Sequence, residues 1–313
     1  RLAWDLGDPA GDMKSDDDQN LGLFNPLMIE NHFTDFPPMK GPMMTQTLQD
    51  IIGKEPLHWR GDRDGLEEFN PTFMSLLGGD AMLTDSEMQE FKDFLATLYF
   101  PPNPFRNLDN TLSTDLPLPG HFSTGRFTPA GTPLPNGNAM NGLNIFRFPR
   151  VMFRGLPCDT CHTLPVGVGT NRELAGAANL RGIPPGPHGE THHALMGAQD
   201  VNTPRDMKIP QARNLYEKVG FEATQASSRA GFGFAHDGAV DSLARFVSLP
   251  AVGVDSIKEV ADLVAFLLSF SGSDLPPAQG HPSEPVGPSG QDAHAAVGVQ
   301  ATLVDLGLTG WPK

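Results

Sequence analysis

Cysteine is nearly absent from this chain: 313 residues hold two, Cys158 and Cys161. Two thiols three positions apart cannot build the disulfide framework that staples a small secreted fold. Long apolar runs are absent too. None approaches the ~20 residues that cross a bilayer as a helix, which excludes a membrane-spanning protein, and no secretory leader is recognisable. Positive charge is short, with 22 Lys and Arg against 37 Asp and Glu and a formal net charge of −15. Such a chain is repelled by phosphate backbones, which argues against nucleic acid; its charge suits a partner with a basic docking face.

What the chain has in abundance is turn-forming residues, with 34 glycines and 30 prolines against a hydrophobic content of 39%. That balance predicts short helices joined by long irregular loops, and the length predicts two domains. Residues 1–20 are polar and rich in aspartate. Lys14 interrupts them and the EF-hand spacing is missing, so they read as a solvated loop and not a calcium site.

The two cysteines sit in Cys158-Asp159-Thr160-Cys161-His162, the c-type haem attachment pattern. Two thiols about a helical turn apart can add to the two vinyl groups of one porphyrin. The adjacent imidazole is then placed to bind iron as the proximal ligand. A thioredoxin-like pair would follow a strand in a βαβ pattern, and no alternating or β-branched run precedes Cys158. A structural zinc site wants four ligands; His192-His193 is available but has no recognisable spacing. The expectation is one covalent haem c. Because this attachment occurs outside the energy-transducing membrane, the motif also predicts a bacterial periplasmic or extracellular protein.

Three blocks recur in the same order, which predicts an internal duplication. Met39-Lys40-Gly41-Pro42 matches Met207-Lys208-Ile209-Pro210. Gly61, Asp64, Leu66 and Phe69 fall opposite Gly238, Asp241, Leu243 and Phe246, which sets Trp59 opposite His236. Thr84 and Glu87 form a capping box before Met88, Phe91, Leu95 and Leu98; Ser256 and Glu259 form another before Val260, Leu263, Phe266, Leu267 and Phe270. Pro101-Pro102 ends the first of these helices and Gly272 the second. Counted back from Trp59, the second copy's spacing puts the first copy's haem histidine before Arg1. The chain therefore reads as processed or truncated, carrying one haem motif, with a second haem expected only if upstream sequence exists.

The expected fold class is mainly α: two tandem cytochrome-c-like helical domains with long Pro/Gly-rich loops. Residues 1–100 form the first domain, without its own haem motif; 101–137 form a Pro/Gly linker; 138–272 form the haem domain. Residues 273–313 form a Pro/Gly-rich tail with a short helix near 292–306. Ala139 to Phe146 reads as the helix before the attachment site. Phe146, Phe148, Val151 and Phe153 suit either a porphyrin face or an ordinary core.

Cys158–His162, Lys208-Ile209-Pro210-Gln211-Ala212-Arg213-Asn214, Phe234-Ala235-His236-Asp237-Gly238 and Glu259–Phe270 together resemble the C-terminal haem domain of bacterial di-haem cytochrome c peroxidases and MauG-like proteins. Residues 1–100 resemble their N-terminal domain with the front missing. The resemblance implies that Trp59 is the aromatic residue between the haems and a candidate relay, and that His236 hydrogen-bonds within the haem surroundings. One departure stands out. Where that family places a distal methionine or tyrosine, this chain has Val247-Ser248-Leu249-Pro250-Ala251, none of which binds iron. Met207 is the first candidate for the distal position, with His193 and Met196 as alternatives and an open iron as the remaining one. Methionine also fills gaps in cores, so Met207 has a packing reading beside the ligand one. Lys208 and Arg213 are candidates to neutralise haem propionates, or simply exposed cations.

Three functions follow. The first is electron transfer through one haem; the second is a peroxidase-like oxidoreductase needing a second haem; the third is a haem-bearing subunit of a larger assembly.

Overall fold

The apolar stripes read from the sequence form helices in the computed structural model of the protein. It describes residues 43–59, 63–100, 103–107, 109, 111–147, 157–160, 162, 164, 208–213, 215–219, 233–236, 238, 240–250 and 252–270, with the backbone of the short strands outside these ranges. The strands are β1 (Ala3–Trp4), β2 (Lys14–Ser15), β3 (Asp35–Phe36), β4 (Met43–Met44), β5 (Arg172–Leu174), β6 (Leu180–Gly182), β7 (Leu195–Met196) and β8 (Met207–Lys208). The helices are α1 (Asn70–Ser75), α2 (Asp85–Leu95), α3 (Ala139–Arg147), α4 (Tyr216–Val219), α5 (Leu243–Val247) and α6 (Ile257–Leu268). β1 pairs with β4, and three further pairs are antiparallel: β2 with β3, β5 with β6, and β7 with β8, where Met196 lies opposite Met207 in register. The tail at 273–313, the N-terminal repeat block Met39–Pro42, Gly272, and Phe148, Val151 and Phe153 lie outside the described residues.

Two compact units result. One, the motif unit, comprises residues 1–3, 100–167 and 212–313; the other, the Trp59 unit, comprises 4–99 and 168–211. This differs from the expected division at two places. Residues 168–211 join the Trp59 unit and not the haem domain. Backbone pairing explains it, since the Lys208 N–H donates to the Trp59 carbonyl at 2.8 Å. The second difference is the stretch expected as a linker. Residues 111–137 fold into the motif unit through antiparallel bridges Leu116–Gly137 and Phe122–Pro133, and they bury Leu112, Leu118 and Leu134 in its core. Arg126 ties this segment down by donating to the carbonyls of Leu249 and Val252 at 3.0 Å and Val254 at 3.1 Å. Glycine and proline content marks irregular backbone, which packs as firmly as a helix when leucines face inward.

In the motif unit α6 is the axis. Val260, Ala261, Val264, Ala265 and Leu268 are fully enclosed, and α3 lies against it. A side chain at Gly142 would overlap the Asp262 carbonyl and sit 2.6 Å from the Phe266 β-carbon, so glycine is what lets the helices approach this closely. Asp262 of α6 accepts the Asn138 N–H at 2.6 Å, satisfying a donor at the start of α3. At the far end Asn103 donates to the carbonyls of Leu268 and Phe270 at 2.8 and 2.7 Å, and Arg106 donates to Ser269 at 2.7 Å. Those bonds close the C-terminus of α6.

The Trp59 unit is built on α2, whose Met88 and Leu95 pack with Leu57 and Leu66. Thr84 and Glu87 make the expected reciprocal box. In α6 the box is half-formed. Ser256 accepts the Glu259 N–H at 3.2 Å, but the Glu259 carboxylate accepts from Asp255, one residue earlier, at 2.8 Å.

The expected duplication has a counterpart in backbone geometry. Leu57 bridges Arg63, and Phe234 bridges Val240, at the same spacing. The second residue of each turn is left-handed, His58 at φ 66° and Ala235 at φ 67°. Each turn leads three residues later into helical backbone, the 3-10 helix Leu66–Phe69 ahead of α1 in one case and α5 itself in the other. Two turns matching in bridge, strained residue and following helix extend the sequence match between these stretches.

Candidate functional site

The candidate attachment segment begins as a single 3-10 turn, Cys158–Thr160. The His162 N–H then donates to the Cys158 carbonyl at 2.9 Å, which carries the turn on to the histidine. Cys158 and Leu164 pack on the motif unit's core. The His162 ring lies 6.4 Å from the Phe146 ring. Phe146 in turn packs on Phe266 at 5.1 Å and Phe270 at 5.8 Å, both in T-shaped contact, the arrangement aromatic quadrupoles favour. Phe146 and Gly142 are one turn apart on α3, so the glycine contact that draws α3 onto α6 also seats the phenylalanine that backs His162.

Electrostatics at the turn disfavour thiolate chemistry. Burial, and then the neighbouring Asp159 carboxylate, push the Cys158 thiol up to about 12. A redox-exchange cysteine needs the opposite, a thiol depressed toward neutrality. Burial likewise raises Asp159, against the pull of Arg147. Among the described residues no three His, Cys, Asp or Glu side chains gather as a metal-ion site.

The remaining candidates are distributed between the two units. Arg213 is in the motif unit and is buried at 2% exposure, which overturns an exposed position; its guanidinium lies 5.1 Å from the Phe100 ring centre. His236 is half-buried in the same unit, in the turn whose Gly233 (φ 93°) admits no side chain beside the Val240 carbonyl. Lys208 and Trp59 belong to the other unit. Trp59 is buried and donates its indole N–H to the Met44 carbonyl at 2.6 Å. The Lys208 ammonium donates to the Lys54 carbonyl at 2.5 Å. Cys161, His193 and the side chains of Met196 and Met207 lie outside the described residues.

Sequence reasoning missed Glu55 and His121. Glu55 is 1% exposed, and burial raises its carboxyl. His121 is 6% exposed, with Nδ1 3.2 Å from the Pro119 carbonyl and Nε2 enclosed without a hydrogen-bond partner among the described residues. Neither carries a local signal, because burial of a lone polar residue in a loop is decided by distant packing.

No protein-family model, curated protein or solved structure matches this chain. Among the described residues no helix is long and apolar enough to cross a membrane.

Proposed function

We propose that this protein is a c-type cytochrome that transfers electrons through one covalently attached haem. The observation that carries the reading is the turn that brings Cys158 and His162 together against the Phe146, Phe266 and Phe270 cluster, in a chain whose only cysteines complete the Cys-x-x-Cys-His pattern. A thiol and an imidazole on one turn beside an apolar wall suit the edge and the proximal face of a porphyrin. Cys158 and Cys161 would hold the group as thioethers and His162 would bind its iron. When bound, haem supplies a one-electron iron couple.

The chain's own part is positional. Phe146 backs the imidazole, the α3–α6 contact keeps that wall rigid, and Cys158 packs partly buried on the same core. Arg213 is the internal cation proposed to face a propionate, and Lys208 is the second candidate; Met207 remains the proposed distal ligand, with His193 and Met196 behind it. The proposed architecture is two tandem cytochrome-c-like helical domains, in the periplasm or outside the cell, meeting a redox partner with a basic face.

Intact mass and the visible spectrum of the full chain test this. One added porphyrin and a reduced low-spin c-type spectrum, both lost in Cys158→Ser/Cys161→Ser, are expected. Colourless protein with two alkylatable thiols refutes it.

Two other readings each have one observation behind them. The matched turns at 57–63 and 234–240 favour a duplicated, peroxidase-like redox enzyme with a second haem and Trp59 as relay; peroxide turnover accompanying a second porphyrin in a longer form of the protein is its mark. The exposed Met74, Leu76, Leu77, Met82 and Phe94 of the Trp59 unit favour a haem-bearing subunit of a larger assembly. A monodisperse monomer that is redox-active alone argues against it.

A further inference from the structure

Trp59 is 8% exposed, and its indole N–H is spent on the Met44 carbonyl. Its own carbonyl accepts the Lys208 N–H at 2.8 Å. Lys208 also reaches back along the same loop, where its ammonium donates to the Lys54 carbonyl at 2.5 Å. One residue from far along the chain therefore holds both ends of the loop 54–59. Between those ends sits the buried carboxyl of Glu55, which accepts the Gly53 N–H at 3.1 Å. The Lys208 side chain is half-buried, and so is its hydrogen bond to Lys54.

We propose that Lys208 is a positioning residue for Trp59, fastening the 54–59 loop at both ends so that the indole stays on the Met44 carbonyl. This differs from the propionate role expected for Lys208 from the sequence, and it stands on contacts within the Trp59 unit without drawing on the haem reading. A half-buried ammonium needs acceptors and a countercharge. The Lys54 carbonyl is the first and Glu55 the second. The charged groups acting on Lys208 are Glu55, which favours its ammonium, and Lys54, which opposes it; Lys92 acts on Glu55 in turn.

The test uses the full chain with Trp4→Phe and Trp311→Phe, which leaves Trp59 as the sole indole, and follows exchange of its N–H with water at neutral pH. Lys208→Met, which removes the bond to the Lys54 carbonyl, is expected to speed that exchange at least ~10-fold, about the factor that 1.4 kcal/mol of lost closure would produce. Lys208→Arg, which can still donate to that carbonyl, is expected to restore the parent rate. An unchanged exchange rate in Lys208→Met, or no rescue by Lys208→Arg, overturns the proposal. Should Lys208→Met fail to fold, Lys208→Gln decides by the same measurement: faster exchange supports the proposal, and the parent rate overturns it.

Discussion

Replacing Gly142 with alanine separates the close α3–α6 approach from ordinary helix energetics, because the two predict opposite signs. Alanine is the better helix former by about 1 kcal/mol, so at an open position this substitution stabilises. At Gly142 the new methyl would overlap the Asp262 carbonyl oxygen and lie 2.6 Å from the Phe266 β-carbon. Carbon atoms rest about 3.5–4.0 Å apart, so the helices must separate by about 1 Å. Overpacking of this kind costs about 1–3 kcal/mol. The upper end applies here, since one obstacle is backbone and cannot rotate aside. After the propensity gain, the net loss is about 1–2 kcal/mol, or about 2–8 °C in the melting temperature for a unit of this size. Thermal unfolding by circular dichroism reads it, with Asn144→Ala on the exposed side of α3 as the control that rises slightly or holds. The parting also moves Phe146 from Phe266, so near-ultraviolet ellipticity falls with the stability. A Gly142→Ala protein as stable as the parent, or more so, refutes the close approach and with it the account of how Phe146 is seated behind His162.

Asp262→Ala removes the acceptor for the Asn138 N–H and for the Lys258 ammonium, which lies 2.5 Å away. The expected loss is about 1.5–3 kcal/mol in chemical denaturation, with Asp262→Asn losing less because its amide oxygen still accepts. Thr84→Ala opens the capping box of α2 and costs about 1 kcal/mol, seen as early hydrogen exchange in the first turn of α2. His121 supplies a pH signature. Burial lowers its folded pKa, against the hydrogen bond to Pro119, so its contribution to stability is complete above the unfolded value of about 6.5 and is lost as pH falls through the folded value. His121→Gln is expected to flatten stability over that acidic window, and an unchanged slope in denaturant midpoint against pH refutes the assignment.

Much of the local structure was legible along the chain. The Thr84 box and the α2 and α6 stripes are written in residues a few positions apart, and neighbours in sequence set capping and helical period. The Cys-x-x-Cys-His pattern is equally local, since its chemistry depends on spacing within one turn. Other features involve partners remote in the chain. The Pro/Gly stretch at 111–137 reads as linker because composition reports backbone irregularity; that its leucines find α6 depends on the path of the chain. Lys208 sits in the haem domain by order of sequence, yet its hydrogen bonds place it on the Trp59 loop. Sequence alone therefore determined which residues could cap, turn, strip apolar faces into helices and offer thiols beside an imidazole. Tertiary structure alone decided which of them are buried and which share a unit, because burial and long-range hydrogen bonding are properties of segments that meet in space after the intervening chain has folded.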